Sequence, residues 1–399
     1  MLTRFILTVL AIFFLSVTPT RAQSPSSDYR IVGYYTSWSL YDRQYFVTDI
    51  PADQLTHINY AFANISQDGE CAIGDSYADT EFSYPGDPES ADYLGNFRQL
   101  NVLKQAHPHL QTLISVGGWT WSGRFSDIAL TPESRAQFAR SCVDFMTRYG
   151  FDGIDLDWEY PTGSGNVGNT ERPEDPENFV SLLTEFRTQL DARGHADGRT
   201  YLLTIAASAG RSGYEPLDWM RIHPSLDFIN VMTYDMSGPW SDVTGHQAPL
   251  YDSLLENPPE ETSTDTALRD YLALGVPADK LVMGVPFYGR GFAGVADFEN
   301  GLHQPYNGLP DGTWEAGNFD YRDLAQHYIG SLTRFWDERA LVPYLYDAAN
   351  GTMITYDDPE SLTLKAAYVR DGGFGGVMFW ELSADTADHR LLTALYDAG

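Results

Sequence analysis

Basic charge is scarce in this chain, and lysine scarcer still. Among 399 residues only Lys104, Lys280 and Lys365 are lysines, and 25 basic side chains face 55 acidic ones, for a net charge of −30. A polyanionic partner such as nucleic acid is excluded on charge. An acidic, lysine-poor surface suits an exported protein in a salty medium, and equally one that must simply stay soluble. Cysteine is also rare. Cys71 and Cys142 are too few for a disulfide framework; one disulfide between them stays open outside the cell, since sequence does not say whether they meet, and independent thiols are the expectation. The nine histidines show neither HExxH nor paired spacing, so neither a metal nor an organic cofactor is expected. Long apolar runs are confined to residues 5–17, behind Arg4 and ahead of Thr20-Arg21-Ala22. That run falls short of the roughly 20 residues a bilayer needs, so it reads as a secretory signal cleaved after Ala22. Residues 23–30 read as a flexible lead-in. The expectation is a soluble, secreted monomer with no membrane contact after cleavage, its folded unit spanning residues 31–399.

Residues 151–160 carry the chemistry. They read Phe-Asp-Gly-Ile-Asp-Leu-Asp-Trp-Glu-Tyr. In an extended strand alternate side chains share a face, which puts Asp155, Asp157 and Glu159 on one side and Ile154, Leu156 and Trp158 on the other. Crowded carboxyl groups resist simultaneous ionisation, so one of them is expected to keep its proton near neutral pH and act as a general acid. The alternatives are a solvated strand face or a divalent-cation site. The apolar reverse face argues against the first, and a calcium loop spreads its oxygens over a turn rather than along a strand. Asp152 has the opposite parity, which assigns it a structural role at the start of the strand.

The run from Asp152 to Glu159 matches the Asp-Gly-x-Asp-x-Asp-x-Glu motif of glycoside hydrolase family 18, the chitinases. Ser115-Val116-Gly117-Gly118-Trp119 resembles that family's third-strand signature, Met232-Thr233-Tyr234-Asp235 its sixth-strand motif, and Phe379-Trp380-Glu381 its eighth. The four motifs occur in the family's order, and the resemblance covers nearly the whole chain beyond the signal.

Eight β-rich apolar runs occupy residues 31–35, 56–64, 111–116, 153–158, 201–207, 228–234, 281–287 and 375–379. Amphipathic stretches at 133–149, 177–193, 262–274 and 361–371 alternate with several of them, which predicts an α/β fold, a closed (β/α)8 TIM barrel. Residues 288–357 are too long for a loop and too aromatic for disorder. A small α+β insertion is expected there, between strands 7 and 8, as in the chitinases the chain resembles. Active sites of such barrels gather at the carboxyl ends of the strands. Trp38, Trp119, Trp121, Tyr214, Trp240 and Trp314 are expected in loops on that face, where flat rings stack on sugars.

The resemblance implies hydrolysis of β-1,4-linked N-acetylglucosamine polymers, with chitin or chito-oligosaccharides as the partner and endo action expected over exo. It also implies a retaining, substrate-assisted mechanism, an exception to the two-carboxylate scheme. On that implication Glu159 protonates the glycosidic oxygen, Asp157 orients the substrate's acetamido group and Asp155 supports Asp157. Tyr234 and Asp235 contact the acetamido group. Trp380, Trp119, Met232, Tyr34, Phe62, Tyr288, Arg290 and Trp38 line the binding site. Two other readings stand beside it: an endo-β-N-acetylglucosaminidase acting on N-glycans, and a lectin without catalysis, which the presence of Glu159 disfavours.

Overall fold

A computed structural model describes residues 29–88, 90–253 and 263–399; the proposed signal lies outside them. Eight parallel strands close on themselves: β1 (Arg30–Thr36), β2 (His57–Ile65), β4 (Gln111–Gly117), β5 (Gly153–Asp157), β6 (Leu202–Ser208), β7 (Phe228–Met232), β8 (Leu281–Pro286) and β14 (Gly376–Trp380). Closure comes where β1 pairs with both β14 and β2. A two-residue strand, β3 (Cys71–Ala72), folds back antiparallel on the end of β2.

Strand parity sorts the core into two layers. Ile31 and Tyr35 of β1, Ile154 and Leu156 of β5, and Val377 and Phe379 of β14 belong to the large cluster that the surrounding helices share. Val32, Tyr34, Phe228, Val282 and Met378 form a separate cluster inside the barrel. Asp155 and Asp157, of opposite parity to Ile154 and Leu156, therefore face the barrel interior. Trp158 turns outward instead, stacked on Phe125 at 5.3 Å and edge-on to Phe179 at 5.7 Å.

The helices begin and end on recognisable signals. The helix Pro132–Tyr149 starts with Thr131 accepting from the Ser134 N–H and proline at its first turn, and it stops at Gly150 with φ of 76°. The helix Pro359–Asp371 starts at Asp358 in the same manner.

Between β8 and β14 lies a five-stranded antiparallel sheet, ordered β10–β9–β13–β12–β11. Its strands are β9 (Tyr288–Phe292), β10 (Asn318–Asp320), β11 (Thr333–Asp337), β12 (Val342–Asp347) and β13 (Thr352–Thr355). Phe287 alone separates β8 from β9. Its ring stacks on Phe379 at 4.1 Å, and its N–H donates to the Trp380 carbonyl.

Several expectations need correction. β5 ends at Asp157 and β7 at Met232, not at Trp158 and Tyr234, because the chain leaves the extended conformation at the barrel rim. The expected lead-in is ordered at its end: Tyr29 is buried and Arg30 opens β1, its N–H donating to the Gly375 carbonyl. Tyr214 is not a rim residue. It is packed against Tyr271, and its hydroxyl donates to Asp270. Cys71 lies in the short strand β3, and both cysteines are free thiols, as expected.

Candidate active site

Register decides which groups surround Asp155. Ser115 of β4 and Thr204 of β6 stand directly beside it across the sheet. Its Oδ2 accepts from the Ser115 hydroxyl (2.7 Å) and the Tyr34 hydroxyl (2.8 Å), and its Oδ1 from Thr204 (2.6 Å) and the Asn230 amide (3.3 Å). Burial pushes its carboxyl up from the ordinary value, and these donors oppose the push. Tyr34, expected to shape the binding pocket, thus spends its hydroxyl on Asp155.

Asp157 is treated differently. It is only 4% exposed, and its Oδ1 has no hydrogen-bond partner in the protein. Its carboxyl is held well above the carboxylate range, first by burial and then by the charges of Glu159 and Asp155. A buried, unpartnered carboxyl oxygen is costly unless something else supplies the missing partner.

Glu159 lies two residues past the end of β5 and is half-buried. Its backbone is fixed at both polar atoms: the N–H donates to the Ser122 hydroxyl (2.9 Å) and the carbonyl accepts from Asn169 (3.1 Å). Burial pushes its carboxyl up to about 7, with the charge of Asp235 adding to the rise and a hydrogen bond from Tyr160 opposing it. That value suits a group that must give and take a proton near neutrality.

The third-strand motif has a steric explanation. Gly117 has φ of +106°, and a Cβ there would meet the Asp157 carbonyl at 2.5 Å; at Gly118 it would meet the Phe62 ring at 2.7 Å. The loop can therefore press against β5, with the Gly118 N–H and the Ser122 hydroxyl both donating to the Asp157 carbonyl.

An aromatic floor lies across the mouth. Trp380, at the end of β14, stacks on Phe62 at 5.8 Å and approaches Tyr34 at 5.5 Å and Trp38 at 6.2 Å. Met232 and Tyr234 pack on the same inner cluster. Tyr234 also stands edge-on to Tyr288 of β9 at 6.3 Å. Asp235, with φ of 59°, receives a two-pronged contact from Arg290 of β9, which brings the five-stranded sheet into the site. Trp119 is 49% exposed at the rim. Trp121 packs on the inner cluster, Trp240 is exposed under Arg290, and Trp314 is exposed under Arg43, with Asp320 accepting its indole N–H. Asp152 sits at the opposite end of β5, bonded to Lys104 (2.8 Å) and Arg199 (2.6 Å).

Sequence reasoning passed over Thr204, Asn230, Ser122 and Tyr160. Thr204 and Asn230 are polar residues at inward parity within apolar strands, a legible signal; Ser122 and Tyr160 lie in loops and left none.

The family model for glycosyl hydrolases family 18 matches residues 30–385. Chitinase A1 of Niallia circulans is 45% identical over 93% of this chain, which spans 58% of that protein's length. Endochitinase 1 of Metarhizium robertsii is 40% identical over 88% of this chain and 80% of its own. Among solved structures, chitinase ChiA74 from Bacillus thuringiensis superposes with a TM-score of 0.88 at 41% identity, covering 93% of this chain and 70% of that one. Motifs, barrel and relatives agree: this chain belongs to family 18 of the glycosyl hydrolases.

Proposed function

We propose that this protein is a secreted chitinase that cleaves β-1,4 linkages between N-acetylglucosamine units with retention, using Glu159 as acid and then base. The observation that carries the reading is the contrast among three neighbouring carboxyl groups: Asp155 bonded four times, Asp157 with an unpartnered oxygen, and Glu159 at about 7. In this reading Glu159 protonates the glycosidic oxygen. The substrate's acetamido oxygen attacks the anomeric carbon, and the acetamido N–H supplies the partner that Asp157 lacks. The oxazolinium ion that forms carries positive charge, which Asp157 stabilises. Glu159, now a carboxylate, takes a proton from the water that opens the ring. Asp155 acts through Asp157, and Tyr234 and Asp235 hold the acetamido group. Trp380 supports one sugar ring, Trp119 another, and the five-stranded sheet walls the groove. Relatives named as endochitinases favour cleavage within the polymer.

A second reading, release of single sugars from chain ends, has support in a family 18 N-acetylglucosaminidase from Paenibacillus barengoltzii. That structure is 35% identical, has a TM-score of 0.79 and is covered completely by this chain.

The test is product analysis on a ladder of chito-oligosaccharides beside a glycoprotein, with Glu159→Gln as control. Wild type is expected to yield mixed short oligomers and to leave the glycoprotein intact. Glu159→Gln should retain oligosaccharide binding while losing about a hundredfold or more in kcat. Release of N-glycans, or a tenth or more of the wild-type rate in the variant, would overturn the assignment.

A further inference from the structure

The two cysteines are 71 positions apart in sequence, yet the fold places them against each other. β3 turns back from the end of β2, pairing Cys71 with Ile65 and Ala72 with Asn64. The hairpin docks on the helix Pro132–Tyr149, where the Cys71 N–H donates to the Ser141 hydroxyl at 2.9 Å. The next residue in that helix is Cys142, which belongs to the core cluster that Cys71 packs against, close enough for the two thiols to influence each other. Both sulfurs are thiols here. Cys142 is fully buried, whereas Cys71 is partly open to solvent and packs on the same core cluster. None of the chemistry of the barrel mouth uses either one.

We propose that Cys71 and Cys142 are a latent disulfide, closed when the folded protein meets an oxidised thiol pool such as glutathione disulfide. Cys71 is the entry point because solvent reaches it, whereas burial holds the Cys142 thiol in its protonated form. The Cys71 thiolate attacks one sulfur of glutathione disulfide. A protein–glutathione bond forms, the glutathione S–S bond breaks, and one glutathione thiolate leaves. Cys142 then gives up its proton and displaces the second glutathione from Cys71, closing the protein disulfide. Two protein thiols lose two electrons and two protons, and one glutathione disulfide gains them as two thiols.

The bond closes a loop that holds much of one side of the site. Between the two sulfurs lie β4, Gly117, Gly118, Trp119, Trp121 and Ser122. Just beyond Cys71, Gly74 lies so close to the Phe62 carbonyl and the Trp121 ring that a Cβ would collide with both. Cross-linking shrinks the unfolded ensemble of this segment and so favours the folded arrangement. The proposal concerns folding chemistry and stands whether or not the chitinase reading holds.

The full chain, purified reduced, is incubated in a glutathione redox buffer, denatured, alkylated and digested with trypsin. The expected product joins the peptides 44–98 and 141–148 through a bond that reductant removes, with no alkylated cysteine remaining. Adding reductant to the oxidised protein should lower Tm by about 5 °C, and Cys71→Ala should show no response to reductant. Because Cys142→Ala leaves a hole in the core, dependence on reductant is the readout, not absolute stability. Two alkylated cysteines, or a stable glutathione adduct on Cys71 without the cross-link, would overturn the proposal.

Discussion

Arg290 meets Asp235 through two hydrogen bonds of 2.8 Å, Nε to Oδ1 and Nη2 to Oδ2, and so joins the five-stranded sheet to the loop after β7. The fork matches the carboxylate geometry. Tyr288 and Trp240 flank the guanidinium, at 5.0 and 5.4 Å from their ring centres. Asp235 therefore stays in place beside Glu159, where its charge raises the carboxyl that is proposed to donate the proton.

This contact sets a pH dependence. Glu159 must be protonated to act as an acid, so kcat/KM is expected to fall as pH rises through about 7. Asp235→Asn removes a negative charge that raises Glu159 and leaves Arg290 uncompensated, and both changes lower the Glu159 pKa. The alkaline limb should move to lower pH by about half a unit or more. A pH–rate profile checks it; an unmoved limb would separate Asp235 from the titration of Glu159.

Asp157→Asn should stabilise the protein while impairing it. Burial raises the Asp157 carboxyl in the folded state, so that state binds more protons than the unfolded chain across the interval between the two values. Stability is thus lost as pH rises through that interval, and the amide escapes the loss. Thermal unfolding should show a gain of about 0.5–2 kcal/mol at pH 8 and little at pH 3, with turnover on chitin largely gone. A variant less stable at pH 8 would mean that the carboxylate is better accommodated than its unpartnered oxygen implies.

Trp119→Ala tests the rim. A ring 49% exposed contributes little to packing, so unfolding should change by no more than about 0.5 kcal/mol. A sugar stacked on that ring gains about 1 kcal/mol, so activity on insoluble chitin should drop more than on a short chromogenic substrate. Equal losses on both, with a lower Tm, would make Trp119 a packing residue.

The sequence made one end of each critical strand legible because a period of two converts spacing into facing: Ile154 and Leu156 outward, Asp155 and Asp157 inward. It did not show that Tyr34, Ser115, Thr204 and Asn230 converge on Asp155, since they come from β1, β4, β6 and β7 and meet only through register, a property of pairs of strands. Tyr214 was misplaced because an aromatic residue in a loop segment looks the same whether its ring faces solvent or, as here, Tyr271. Whether Cys71 and Cys142 meet is not legible because β3 has two residues, too few to leave a pattern.

Lys365 offers a test away from the site. Its ammonium is fully buried between Asp357 Oδ2 and the Ala248 carbonyl, each at 2.6 Å, where the five-stranded sheet returns to the barrel. Lys365→Met strands the Asp357 carboxylate and should cost about 3–5 kcal/mol by denaturant unfolding. The double variant Lys365→Met/Asp357→Leu should recover a large part of that loss. Failure to recover would show that the lysine's bond to Ala248, not the ion pair, holds the junction.

The single residue between β8 and β9 bears on how this chain can vary in length. Phe287 stacks on Phe379 and hydrogen-bonds to the carbonyl of Trp380, and Lys365 fastens the other root of the five-stranded sheet. An inserted or deleted residue at either root would shift Arg290 relative to Asp235 and turn the strand faces over. Length changes are tolerable only at the far turns, such as the exposed stretch around Asp297 and Phe298. The outer part of the sheet is therefore free to be reshaped by insertion and deletion, while the side facing the carboxylates stays in register.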